Sequence, residues 1–170
     1  MTDPLATRVA ARLARRRPAP RLAARFRIEA TARGVTRLAP GRGIQASSAA
    51  ARRHAERARR ELAEYLAGRR TSFSVPLDLG RLPAFQGRVL AATLRIGFGE
   101  VVSYSELAAQ VGAPRAPRAV GTALARNPVP ILVPCHRVVR RDGTWGPYAF
   151  GSALKTTLLA LETRGSGWRA

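Results

Sequence analysis

The sequence holds one cysteine and two histidines, and the cysteine stands directly before a histidine in Pro134-Cys135-His136-Arg137. A thiol beside an imidazole and a guanidinium suits nucleophilic chemistry, because the thiolate is the reactive form and nearby positive charge favours it. Adjacent side chains often point apart, and a lone cysteine is otherwise a small buried hydrophobe. The dipeptide alone leaves both readings open. One cysteine excludes an internal disulfide, and with only His54 and His136 beside it a structural zinc site lacks ligands. No metal is expected, and the free thiol fits a reducing compartment, the cytoplasm.

Lys and Arg total 30 against 10 acidic residues, a formal charge of +20, and every one of the 30 except Lys155 is arginine. The excess fits a polyanionic partner. A GC-rich genome also enriches arginine, so charge needs a motif beside it. The apolar runs are too short to span a bilayer, and no membrane is expected. Leu5, Val9 and Leu13, spaced between arginines, read as a surface helix rather than a targeting segment, since they lack a continuous apolar core.

Two regions of different pattern must position the thiol. In residues 1–80 the stretch 25–31 alternates polar and apolar as a half-buried strand does, and Gly34 permits a turn into a second strand at 35–38. Residues 49 to 67 carry Ala51, Ala55, Ala58, Leu62 and Leu66 at helical spacing, with Gly68 as a stop. Phe73, Val75, Leu77 and Leu79 alternate again. This half reads as a small antiparallel sheet with one covering helix.

Residues 81–170 are mostly helical. Phe85, Val89, Ala92 and Ile96 share one face, and Ser103 with Glu106 forms a capping-box pair opening a short helix. Residues 112 to 116 make a tight connection, and Pro117 suits the first turn of a helix that stops before Asn127-Pro128. Two short helices so joined read as a helix-turn-helix, a pairing also common in proteins that bind no DNA; Arg115, Arg118 and Arg126, read as lying on the second helix, add a DNA-binding face. Residues 131–133 and 138–139 flank the cysteine as strands, Asp142-Gly143 offers a turn, and a last helix spans 152 to 162 with Leu154, Leu158 and Leu161 inward. Residues after Arg164 read as a loose tail.

The run from Arg118-Ala119-Val120-Gly121 through Asn127-Pro128-Val129-Pro130-Ile131-Leu132-Val133-Pro134-Cys135-His136-Arg137-Val138-Val139 closely resembles the O6-alkylguanine-DNA alkyltransferase family. The likeness extends upstream to Phe85-Gln86 and Gly99-Glu100-Val101-Val102-Ser103-Tyr104, and downstream to Gly146-Pro147-Tyr148-Ala149-Phe150-Gly151, Lys155, Leu158-Leu159 and Glu162. It covers roughly residues 71 to 163. The first 70 residues match only in outline. The resemblance implies an α+β (α/β) chain: a ribonuclease-H-like N-terminal domain over 1–80, then a winged-helix-like C-terminal domain with the helix-turn-helix over 81–170.

The resemblance also implies a reaction and its residues. Cys135 would accept an alkyl group from O6-alkylguanine, or from its thymine counterpart O4-alkylthymine, once and irreversibly. His136 would act as its base through a bridging water, Glu162 would orient the imidazole, and Tyr148 would hydrogen-bond the departing guanine. The partner would be double-stranded DNA met through the minor groove, bound by a monomer without cofactor, with the target base rotated out of the stack. Arg118 would fill the vacated space and Tyr104 would push the adjoining phosphate, with Arg115, Arg126 and Ser103 as further DNA contacts. Asn127 would brace the turn to the active site. The backbone of Val138 would meet the guanine edge, and Pro134, Trp145 and Phe150 would complete the pocket and its support.

Pro147 and Ala149 depart from the glycine, asparagine, serine or arginine frequent in the family, and Trp145 is unusually bulky; these departures bear on the range of adducts accepted. Phe150 resembles the aromatic of bacterial members. The extra cysteines of the adaptive-response relatives are missing, so no transcription-factor role is inferred. A damage-recognition protein without chemistry would be expected to replace the acceptor cysteine, and a cysteine hydrolase needs an oxyanion site, for which the sequence carries no signal.

Overall fold

The computed structural model describes residues 4–13, 26–80 and 82–165. None of the described helices is long and apolar enough to cross a membrane. The chain divides into two compact units, one formed by Met1–Pro18 with Pro83–Ala170 and the other by Ala19–Leu82. The architecture mixes helices with small sheets, as an α+β chain does.

In the Ala19–Leu82 unit, strands β1 (Phe26–Thr31) and β2 (Gly34–Pro40) pair antiparallel, and β3 (Gly43–Ala46) adds to the other edge of β1 in parallel. Phe26, Ile28 and Ala30 alternate inward, the period that made β1 legible. Helix α2 (Ala49–Leu66) starts where the Ser48 hydroxyl accepts the Ala51 N–H at 3.1 Å, and packs Ala51, Ala55, Ala58, Leu62 and Leu66 on the sheet. The sheet is therefore mixed, and its third strand is not the expected one. Residues 73–79 form only an isolated parallel bridge, Val35 with Leu77. Two causes act together: Pro76 has no N–H to donate to a ladder, and the N–H groups of Ser74 and Val75 are taken by the Glu61 carboxylate at 2.9 and 3.2 Å. The strand that does form, β3, is an exposed edge without apolar alternation, which hid it in the sequence.

In the other unit, α1 (Pro4–Leu13) buries Leu5, Val9 and Leu13 against residues of the C-terminal region, so the helix read as a surface element of the first half belongs with the second. Helix α3 (Ala84–Thr93) is followed by strand β4 (Val102–Ser103), α4 (Tyr104–Gln110), α5 (Pro117–Ala125), a 3-10 turn (Cys135–Arg137), strand β5 (Val138–Val139) and α6 (Ser152–Gly165). The capping box is present: Ser103 Oγ accepts the Glu106 N–H at 3.1 Å, and the Glu106 carboxylate accepts the Ser103 N–H at 2.6 Å. Pro117 opens α5, where its missing N–H costs nothing. Residues 131–133 form no strand beyond a bridge between Pro130 and Val133, whereas β5 pairs in parallel with β4. Of the expected tail after Arg164, residues 166–170 lie outside the described residues.

Glu61 is 2 % exposed and also accepts Arg57 Nε at 2.9 Å and Ser74 Oγ at 2.7 Å. Burial alone would raise its pKa, but these donors hold it down to about 2. Because the folded value lies below the ordinary 4.5, the stabilisation is full above that value and is lost as pH falls through about 2. Glu61→Ala leaves buried donors without an acceptor, and we expect it to cost about 2 kcal/mol or more. The reading is a lower urea midpoint at unchanged slope; an unshifted midpoint would refute the assignment.

Candidate active site

Cys135 opens the 3-10 turn between a proline-rich loop and β5, and only 4 % of it is exposed. Pro134 caps the turn and its carbonyl accepts the Arg137 N–H at 3.0 Å. Asn127, just past α5, holds the approach: Nδ2 donates to the Val133 carbonyl at 3.0 Å and to Cys135 Sγ at 3.2 Å, while Oδ1 accepts the Val129 N–H at 3.0 Å. One amide thus fixes both ends of the loop and touches the sulfur.

Behind the thiol lies a buried cluster of charge. His136 Nε2 meets Glu162 Oε1 at 2.9 Å, with the two residues 0 and 1 % exposed. Arg137 Nε lies 3.1 and 3.0 Å from the two oxygens of Glu162, Nη2 donates to Oε1 at 2.9 Å, and Nη1 donates to the Ile96 carbonyl at 2.5 Å. The Gly99 N–H reaches Oε2 at 3.1 Å. Burial opposes ionisation of Glu162, yet His136 and Arg137 hold its pKa down to about 2. A carboxylate requires Nε2 to carry the proton it donates, which leaves Nδ1 as the acceptor of the neutral ring. Burial lowers the His136 pKa despite Glu162, so the ring is held in this form, that of a base.

The arginine beside the cysteine therefore does not serve the thiol, as the dipeptide had suggested; it serves Glu162. The cation that acts on Cys135 is Lys155, fully buried on α6. Its ammonium donates to the Val138 carbonyl at 2.6 Å and to the Trp145 carbonyl, and stands 5.7 Å from the centre of the Tyr104 ring. Burial pulls its pKa down to about 8 against the pull of Cys135. At Cys135 burial pushes the thiol up, while Asn127 and Lys155 favour the thiolate. Lys155 carried no assigned role in the sequence, although as the only lysine among arginines it offered a signal.

A cavity of about 120 Å³ opens above the sulfur, lined by Gly121, Leu124 and Ala125 of α5 and by Pro147, Tyr148 and Ala149 of the following loop. Tyr148 stands edge-on to His136 and to Phe150, with centroids 6.4 and 6.1 Å apart. Trp145 and Phe150 do not line the cavity: Phe150 backs Tyr148, and Trp145 packs against the apolar cluster of α1. Tyr104, at the start of α4, is half-buried, and its hydroxyl leaves no room for a side chain at Gly146, where a Cβ would lie 2.8 Å away. Among the described residues no cluster of His, Cys, Asp or Glu could hold a metal ion.

On the outer face Arg118 projects exposed from α5. Arg115 lies in the turn before that helix and Arg126 just beyond its last residue, so only one of the three arginines stands on α5 itself. Ser103, expected among the DNA contacts, is 1 % exposed with its hydroxyl taken by the α4 cap; its part is to start α4.

A family model described as 6-O-methylguanine DNA methyltransferase, DNA binding domain, matches residues 84–164. A methylated-DNA--protein-cysteine methyltransferase of Mycolicibacterium paratuberculosis is 50% identical over 106 residues, 62% of this chain and 64% of that protein. The constitutive methyltransferase of the same name from Bacillus subtilis is 46% identical over 106 residues, again 62% and 64%. The match thus spans just under two thirds of the length of these relatives. Among solved structures, Mycobacterium tuberculosis OGT in complex with DNA is similar at a TM-score of 0.69 and 36% identity, covering 82% of this chain and 93% of that one.

Glu162 is the shared partner of two buried groups, so Glu162→Gln leaves the Arg137 charge uncompensated and should cost about 3 kcal/mol or more in urea unfolding. Adding Arg137→Met, which removes that charge, should recover part of the loss. A stability loss that is the same with and without Arg137 would show that the two do not act as a pair. Because the folded pKa of His136 lies below 6.5, the unfolded chain binds the proton that the folded chain refuses. Stability should therefore fall as pH drops below 6.5, and less so in His136→Gln.

Proposed function

The chain belongs to the 6-O-methylguanine DNA methyltransferase family, and from that premise we propose that it repairs DNA by moving the alkyl group of O6-alkylguanine onto Cys135, once per molecule. The observation that carries this reading is the thiol held by Asn127 beneath a cavity of about 120 Å³, with the next residue, His136, paired to the buried Glu162.

In the proposed reaction His136 takes the thiol proton at Nδ1 through a water, while Glu162 holds Nε2. The sulfur attacks the alkyl carbon, a carbon–sulfur bond forms, the bond from carbon to O6 breaks, and its electron pair stays on the guanine oxygen. The guanine takes up a proton, and Tyr148 hydrogen-bonds it as it leaves. Asn127 and Lys155 stabilise the thiolate that precedes attack. A thioether is a poor leaving group and the sequence holds no second thiol, so the product is permanent. The enzyme is consumed by its own reaction.

Reaching a base inside a duplex requires extrusion. We assign α4 and α5 as the helix-turn-helix, with α5 entering the minor groove, Arg118 filling the vacated space, Tyr104 meeting the neighbouring phosphate, and Arg115 and Arg126 contacting backbone. The pairing of β5 with β4 beside these helices supports a winged-helix-like reading of this unit. The three-stranded sheet under α2 supports a ribonuclease-H-like reading of the other. The protein works as a monomer on alkylated double-stranded DNA in the bacterial cytoplasm.

Incubation with an oligonucleotide bearing O6-methylguanine should add 14 mass units, about one methyl group in place of hydrogen, to the peptide containing Cys135, and repair should stop at one equivalent. Cys135→Ala should lose transfer and keep DNA binding. Sustained turnover, or a modified residue other than Cys135, would sink the reading.

Arg118 gives a second and independent prediction. Extrusion costs a few kcal/mol in a sound duplex and least in a single strand, so Arg118→Ala should slow single-turnover repair of a duplex lesion and largely spare a single-stranded one. Equal slowing on both would reduce Arg118 to a simple phosphate contact.

A further inference from the structure

The family model begins at residue 84, and α1 lies outside it, yet α1 packs within the unit that carries the thiol. We propose that α1 is a specificity-determining element that sets the width of the cavity above Cys135, by clamping the loop that forms one of its walls. The proposal rests on Cys135 being the alkyl acceptor.

The two walls of the cavity differ in how they are held. Gly121, Leu124 and Ala125 belong to α5, which packs on α3 and α4. Pro147, Tyr148 and Ala149 belong to the irregular stretch between β5 and α6. That stretch is tied by the turn in which Arg140 N–H reaches the Thr144 carbonyl at 2.8 Å, by Asp142 accepting the Thr144 N–H at 2.9 Å, by Lys155 on the Trp145 carbonyl, and by the Gly151 N–H on the Tyr148 carbonyl at 2.9 Å. No regular ladder supports it, so side-chain packing has to.

α1 supplies that packing along the first half of the loop. Leu5, Val9 and Leu13 form one cluster with Val101, Val139, Leu159 and Ala160, and the half-buried Trp145 lies against it. Arg8 Nη1 donates to the Arg141 carbonyl at 2.9 Å. Gly143 completes the fit, since a Cβ there would lie 3.0 Å from Arg8 Cβ and 3.5 Å from the Arg8 backbone. The helix therefore touches the loop at Arg141 and Gly143 and shares one apolar cluster with Trp145. From Trp145 the chain reaches the lining residue Pro147 in two steps, so a displacement of Trp145 is passed directly to the wall. Trp145 packs against the apolar cluster that α1 helps to form and does not line the cavity.

Because Cys135 is the only thiol, the wall can be probed without DNA. Native protein is labelled with iodoacetamide, which is small, and with N-phenylmaleimide, which is not, and the rates are followed by mass. Val9→Asp puts a carboxylate at a site 1 % exposed and should undock α1; Trp145→Ala removes the clamped ring and leaves α1 intact. Each should raise the ratio of bulky to small labelling by about tenfold, the scale on which a pocket discriminates a methylene group or two. Val9→Ile should leave the ratio unchanged. The ratio of benzyl to methyl transfer from O6-alkylguanine oligonucleotides should move the same way.

Circular dichroism and melting curves establish that each variant is folded at the assay temperature, and Trp145→Ala decides the matter should Val9→Asp not fold. A ratio that stays put in a folded variant, or two rates that change by one common factor, overturns the clamp. A wild-type protein that takes the labels but no alkyl group refutes the proposed function, and the labelling ratio still decides the role of α1.

Discussion

The site depends on one carboxylate. Glu162 lies near the end of α6 with 1 % of its surface exposed, a position in which an ionised carboxyl is costly unless its oxygens are all engaged. They are: the adjacent His136 and Arg137 of the 3-10 turn and the Gly99 N–H converge on it from two separate stretches of chain. The Ile96 carbonyl takes a further N–H of the same arginine. Removing any partner leaves a buried charge or donor unmatched, so the segment between α3 and β4, the 3-10 turn and α6 are locked into one relative geometry. That lock decides which nitrogen of His136 carries the proton, and hence which face of the ring can act as a base.

The second constraint is strain. Ile131 has φ 78°, a conformation strongly disfavoured for a β-branched residue, and such a residue costs about 1–3 kcal/mol that the surroundings must offset. The offset is visible in the loop: Ile131 is buried, the Val133 N–H returns to the Val129 carbonyl at 3.0 Å, and Asn127 ties Val129 and Val133 from within. The loop folds back tightly enough to present Cys135 at the start of the 3-10 turn, with its sulfur under the Asn127 amide. Asn127 acts both as a mechanical brace and as a donor to the nucleophile, which explains why an amide stands there rather than an apolar side chain.

What could be read from the sequence follows from which interactions are local. The capping box at Ser103 and Glu106, the proline at the start of α5 and the amphipathic faces of α1 and α2 are set by neighbours within a turn or two, and each was legible. The Pro134-Cys135-His136-Arg137 motif marked the site itself. The direction in which Arg137 points was not legible, because its partner stands 25 residues away. Lys155 failed to announce its role for the same reason: only the fold brings its ammonium to the carbonyls of Val138 and Trp145. The strand expected at residues 73–79 failed because the Glu61 carboxylate outcompeted a ladder for the N–H groups of Ser74 and Val75. β3 gave no signal because an exposed edge has no buried face to write an alternation. Helix α1 was seen as a helix with an apolar face, but which part of the chain that face docks on is a tertiary fact.

Burial and reactivity are in tension at Cys135, and under the proposed single-turnover reaction the tension is useful. Burial pushes the thiol toward its protonated, inert form, while Asn127 and Lys155 pull toward the thiolate. An exposed thiolate would be consumed by any small electrophile in solution, and with no second thiol that loss would be final. A recessed thiol whose activating groups are already in place reacts only with a carbon delivered into the cavity at the right angle, which is the orientation advantage an enclosed site supplies. In the proposed reaction the alkyl group of an extruded base would meet that condition, whereas a freely diffusing electrophile must find the same approach unaided. The cavity is thus as much a shield for the nucleophile as a seat for the substrate, and its walls set both properties together.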